Sequence, residues 1–112
     1  MKIFLDDERQ PPDDSWTLVR WPHEVISLIK NNDIEAISLD HDLGDDSVGT
    51  GYDVVLWIEE KVALGEMIPP KITVHSANIS ARKKMIAGIK NIYKISQPIN
   101  SKTAGRNQKE SD

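Results

Sequence analysis

The chain contains no cysteine. That excludes disulfides, thiolate metal sites and thiol nucleophiles, and it fits a reducing, cytoplasmic setting. Aromatic residues are scarce, at 5%, so the core must be built from aliphatic side chains. Trp16, Trp21 and Trp57 read as packing residues rather than base-stacking platforms. No apolar run approaches the ~20 residues that span a bilayer. The only early run is broken by Asp6 and Asp7, so neither a signal peptide nor membrane association is expected. A net charge of −4 argues against broad nucleic-acid binding, and no sequence-specific DNA recognition is expected. A nucleotide or an RNA end remains open as a ligand, because local basic residues can stand beside an acidic site. Oligomeric state is not legible.

What is present is a series of short apolar runs ending in polar residues. At 112 residues this predicts one domain, over residues 1–100, with a disordered polar tail over 101–112. Lys2 to Asp6 reads as a first strand, followed by a proline loop through Pro11 and Pro12 rather than a helix. Trp16 to Arg20 is a second strand. Pro22 suits the first position of a helix that carries Val25, Ile26, Leu28 and Ile29 and stops at Asn31-Asn32. Glu35 to Asp40 is a third strand. The stretch Gly44 to Gly49 is read as irregular loop. Thr50 with Asp53 resembles a capping box opening a second helix, which Gly65 ends. Lys71 to His75 is a fourth strand, and a third helix runs from a cap at Asn78 or Ser80 to about Asn91. Ile92 to Ser96 reads as a fifth strand. Strands separated by crossovers imply an α/β fold: a flavodoxin-like parallel five-stranded sheet of order 2-1-3-4-5, covered on both faces. The helix between strands one and two and a last helix are missing from this pattern.

In such sheets ligands bind beyond the carboxyl ends of the strands. Those ends read Leu5-Asp6-Asp7-Glu8-Arg9, Leu39-Asp40-His41-Asp42-Leu43-Gly44 and Val74-His75-Ser76-Ala77-Asn78. Together with Pro12, Trp16, Val19-Arg20 and Thr50-Gly51-Tyr52-Asp53, they resemble the cyclic-phosphate-processing receiver-like family, related to response-regulator receiver domains. The resemblance covers roughly residues 2 to 98. It departs from signalling receivers at Gln97-Pro98, where those carry Lys-Pro, and in having His41 and His75 at strand ends. It implies a small cyclic phosphate as substrate: a nucleotide, an ADP-ribose-type compound or an RNA end.

Asp6, Asp7, Asp40 and Asp42 offer hard oxygen ligands suited to Mg²⁺ or Mn²⁺. The receiver pattern implies Asp7 and Asp40 as direct ligands, with Asp6 supporting through water. Without a cation, four converging carboxylates would repel and raise at least one pKa. His41 and His75 supply imidazoles, a side chain suited to general acid–base cleavage of a phosphodiester. Arg9 and Arg20 are placed to grip a phosphate, and Ser76 and Asn78 to donate hydrogen bonds to it, although Asn78 also suits a helix cap. His23 is read as structural. The leading expectation is therefore a metal-dependent phosphoesterase. Its alternatives are an aspartyl-phosphate route through Asp40, and a non-enzymatic signalling or adaptor domain.

Overall fold

The computed structural model describes residues 1–44 and 46–97. The expected tail over 101–112, and Pro98, lie outside the described residues. Four parallel strands, β1 (Lys2–Leu5), β2 (Trp16–Val19), β3 (Ala36–Leu39) and β4 (Lys71–Val74), form one sheet of order β2-β1-β3-β4. Three helices, α1 (Pro22–Asn31), α2 (Gly51–Ala63) and α3 (Ile79–Ser96), complete the fold. The α/β receiver-like order is as expected, with a loop in place of a helix between β1 and β2.

Local chemistry explains the helix starts. Pro22 opens α1, and Glu24 Oε1 accepts the Trp21 and Arg20 N–H groups at 3.0 Å each. Thr50 and Asp53 form the expected capping box: Thr50 Oγ1 accepts from Tyr52 N, and Asp53 Oδ2 accepts from Thr50 N at 2.8 Å. Asn78, not Ser80, caps α3 through its Oδ1 and the Ala81 N–H. The loop after β3 is not wholly irregular, since Asp46–Val48 make one turn of 3-10 helix.

The expected fifth strand is helix. Ile92 to Ser96 continue α3, because Met85, Ile89 and Ile92 recur at helical spacing and all three are buried. The β-branched composition of the segment favours a strand, but packing of that stripe against the sheet outweighs it. Tyr93 then substitutes in part for the missing strand. Its hydroxyl accepts from Ile72 N and donates to Pro70 O, both at 2.8 Å, on the outer edge of β4.

Among the described residues, helices cover one face of the sheet, not two. Ile3, Leu5, Val19, Ile37, Leu39 and Ile72 share a single apolar cluster with Val25 of α1, Val54, Val55 and Ile58 of α2, and Met85 and Ile89 of α3. Strand register places Lys2, Trp16, Ala36 and Lys71 in one row of the opposite face, and Phe4, Leu18, Ser38 and Thr73 in the next. No helix among the described residues lies over these rows. With a proline loop between β1 and β2, the crossovers that carry α1 and α2 both run in the same direction across the sheet, which right-handed connection places on one side. No helix among the described residues is long and apolar enough to cross a membrane.

Candidate active site

The backbone ladder extends one residue beyond each strand and levels the residues that follow. Asp6 N donates to Val19 O at 3.1 Å, Asp40 N to Leu5 O at 3.0 Å and His75 N to Leu39 O at 2.9 Å. Asp6, Asp40 and His75 therefore stand side by side at the carboxyl edge, as the strand-end argument expects. One carboxylate oxygen from each of Asp6, Asp7 and Asp40 falls within 4.8 Å of the others. Asp42, also expected among the metal ligands, is outside this trio. Its Oδ1 lies 2.7 Å from His41 Nδ1, and its Oδ2 accepts from Asn78 Nδ2 at 3.4 Å.

The three carboxylates have different environments. Asp6 is 2% exposed. Burial pushes its carboxyl pKa up, but N–H donors from Arg9 and Glu8, with His75 beside it, outweigh burial and hold it below the usual value. Asp40 is driven the other way: burial and the neighbouring Asp6 charge raise it, against weaker opposition from the His41 N–H, His75 and Arg9. Burial is the larger cause of the Asp40 shift and the neighbouring Asp6 charge the second. The donor set, all oxygen and closely grouped, fits a small hard divalent cation.

Two shallow depressions meet here. One, of about 280 Å³, is lined by Asp6, Asp7, Glu8, Arg9, Asp40, Asp42, Gly44 and Ala77. The other, of about 250 Å³, shares Asp6 to Arg9 and adds Gln10, Leu18 and Arg20. The two arginines are thus brought together beside the acids. Each is also tied to backbone, Arg9 Nη1 to His75 O at 2.6 Å and Arg20 Nη2 to Asp7 O at 2.9 Å.

The remaining expected residues divide. Ser76 is buried and its Oγ accepts from Asn78 N at 3.1 Å, while Asn78 caps α3. Both shape the turn after β4. Neither histidine ring lines the depressions. The His41 ring, 20% exposed, is held through Nδ1 by Asp42, and its Nε2 has no partner among the described residues. His75 has both ring nitrogens engaged, Nδ1 with Ser38 Oγ at 2.7 Å and Nε2 with Asp6 Oδ2 at 2.9 Å. Its ring also stacks on Phe4, with centroids 4.3 Å apart. Exposed His23 lies on α1, apart from this cluster.

Sequence reasoning placed Phe4 in the first strand's family-like run and Ser38 in the third strand, and gave neither a role at the site. The available signal was a hydroxyl in an otherwise apolar strand, on the face away from the helices. In the basic Arg82-Lys83-Lys84 run of α3, Lys84 Nζ sits 4.2 Å from the Tyr52 ring centroid, a cation–π contact joining α3 to α2.

No curated protein matches the chain. The family described as the cyclic-phosphate processing receiver domain matches residues 1–91, which include all four strands, α1, α2 and every strand-end residue named above. With its parallel sheet and levelled acidic tips, the chain belongs to that cyclic-phosphate processing receiver family.

Proposed function

We propose that this domain is a metal-dependent phosphoesterase that opens a small cyclic phosphate. The observation that carries the reading is the Asp6–Asp7–Asp40 trio, with Arg9 and Arg20 on the adjoining wall. Asp7 and Asp40 would hold Mg²⁺ or Mn²⁺ directly. Asp6, already accepting three hydrogen bonds, would support the ion through water. When bound, the cation supplies charge neutralisation and polarisation of a phosphoryl oxygen.

The chain's own residues do the rest. Arg9 and Arg20 keep guanidinium N–H groups beyond those bonded to backbone, and these orient the anion. His41 is the group for proton transfer: Asp42, on the wall of the depression, holds its Nδ1 and sets the tautomer, and its Nε2 is unpartnered among the described residues. In the reaction water adds to phosphorus and one endocyclic P–O bond breaks, leaving a phosphomonoester and a free hydroxyl. His41 accepts the proton of the attacking water, and the departing alkoxide takes its proton from solvent at the open mouth of the site.

The test is turnover of a panel of cyclic phosphates (nucleoside 2′,3′-cyclic, nucleoside 3′,5′-cyclic, an ADP-ribose cyclic phosphate, and RNA ends) with Mg²⁺ or Mn²⁺. One member should be converted to its monoester, and His41→Ala should slow it by about 10² or more. No turnover of any member, or a fully active His41→Ala, would sink the reading. A phospho-acceptor role for Asp40 has no comparable support: Gln97 stands where signalling receivers carry lysine, and it caps α3 instead of ending a strand.

A further inference from the structure

Both ring nitrogens of His75 are engaged by side chains of the protein, Nδ1 by Ser38 and Nε2 by Asp6. Asp6 Oδ1 already accepts two backbone N–H groups and Oδ2 faces His75 Nε2 at 2.9 Å, where the imidazole N–H is the donor. Ser38 Oγ occupies Nδ1 at 2.7 Å, and Phe4 lies flat against the ring with an interplanar angle of 5°. No lone pair of this imidazole is left to meet a substrate. The bonds also close a circuit between two strands. Asp6 Oδ1 takes the N–H groups of Glu8 and Arg9, at 2.8 and 3.0 Å, which fixes the turn carrying Asp7. The Arg9 guanidinium reaches back across to the His75 carbonyl at 2.6 Å. The tip of β1 thus holds β4 through Arg9, and β4 holds the tip of β1 through His75.

From this circuit we infer that His75 is a positioning residue that sets cation affinity by locking Asp6 and the Asp7 turn, and that it does not transfer protons. The inference rests on the metal-site reading above and assigns His75 a role distinct from that of His41. Hydrogen-bond partners outside a ligand shell commonly govern affinity by tenfold to a hundredfold. Glutamine at this position keeps an N–H donor of similar reach but cannot titrate. Alanine removes the donor and leaves a buried carboxylate oxygen unpaired.

The experiment measures Mn²⁺ affinity of the whole chain by electron paramagnetic resonance, beside turnover and amide spectra of the metal-free protein. His75→Ala should weaken Mn²⁺ binding about tenfold or more and shift the Glu8 and Arg9 amide resonances. His75→Gln should restore both to within about threefold of wild type, with the pH profile of turnover unchanged. Unaltered Mn²⁺ affinity in His75→Ala overturns the lock. So does a His75→Gln variant that binds Mn²⁺ normally yet loses the ~10²–10⁴-fold rate factor of an acid–base group. Turnover with no dependence of Mn²⁺ affinity on His75 rejects the lock and spares the phosphoesterase. His75-dependent Mn²⁺ binding with no turnover of any cyclic phosphate does the reverse.

Discussion

Gly51 begins α2 so close to the tip of β3 that a Cβ built on it would lie 1.8 Å from the Asp40 carbonyl oxygen. Its N–H donates to His41 O at 3.2 Å, so helix and acidic tip share one backbone contact. Only glycine permits this approach. Gly51→Ala must displace either α2 or the Asp40–Asp42 loop, at a cost of about 3 kcal/mol. Thermal unfolding should show a Tm lowered by roughly 10 °C or more. Gly65→Ala is the control: φ there is +74° and a Cβ at that position would meet nothing within 4 Å, so it carries only the left-handed backbone penalty of ~1–2 kcal/mol. Equal losses for the two variants would mean the close approach is not felt.

Tyr93 supplies the second prediction. Its hydroxyl is, among the described residues, the partner of both the outward-facing Ile72 N–H and the Pro70 carbonyl. Tyr93→Phe keeps the ring and strands both groups on a part-buried sheet edge, costing about 1–3 kcal/mol. Amide exchange should accelerate at Ile72 more than at the central strands. Unchanged protection at Ile72 would show that solvent replaces the hydroxyl without loss.

These two contacts mark what the sequence made legible and what it did not. β1 to β4 were readable because each is a short apolar run closing on a charged or polar residue. The acidic trio followed from that, since parallel strands end level. The Ile92–Ser96 segment misled because its β-branched residues suit a strand, whereas Met85, Ile89 and Ile92 carry the helical period forward. The proline loop announced a missing helix, yet the bare sheet face became evident only once all crossovers were seen on one side. The contacts of Ser38, the close approach of Gly51 and the tie of Asp42 to His41 and Asn78 depend on register and approach distance, and local pattern does not encode those.

The opposed shifts of Asp6 and Asp40 predict an acid limb with two phases in metal-free protein. Asp40 has its folded pKa above the unfolded value of 3.8. Its ionisation therefore costs stability at neutral pH, and that cost is relieved as pH falls through the folded pKa towards 3.8. Asp6 has its folded pKa below 3.8. Its contribution is complete above 3.8 and is lost as pH falls through the folded pKa. Urea unfolding with chelator present should show Asp40→Asn more stable than wild type at pH 7, with the difference closing below pH ~4. Asp6→Asn should be less stable at pH 7 and flatter in acid. An Asp40→Asn variant destabilised at pH 7 would contradict the assigned charge repulsion.

Cation binding should reverse the penalty that Asp40 carries, and the three carboxylates can be told from the fourth by stability alone. A ligand that binds only the folded state at a hundred times its Kd adds about 2.7 kcal/mol, enough to raise Tm by roughly 10 °C in a domain of this size. Wild type should show this with Mn²⁺. Asp7→Asn and Asp40→Asn each remove a charged oxygen from the trio and should lose most of the shift. Asp42→Asn should keep most of it, because both Asp42 oxygens are directed to His41 and Asn78 rather than to the other acids. It should instead impair turnover, by releasing the His41 ring from its tether. A Mn²⁺ shift lost as fully in Asp42→Asn as in Asp40→Asn would place Asp42 among the ligands and break the separation between the metal-holding trio and the His41–Asp42 pair.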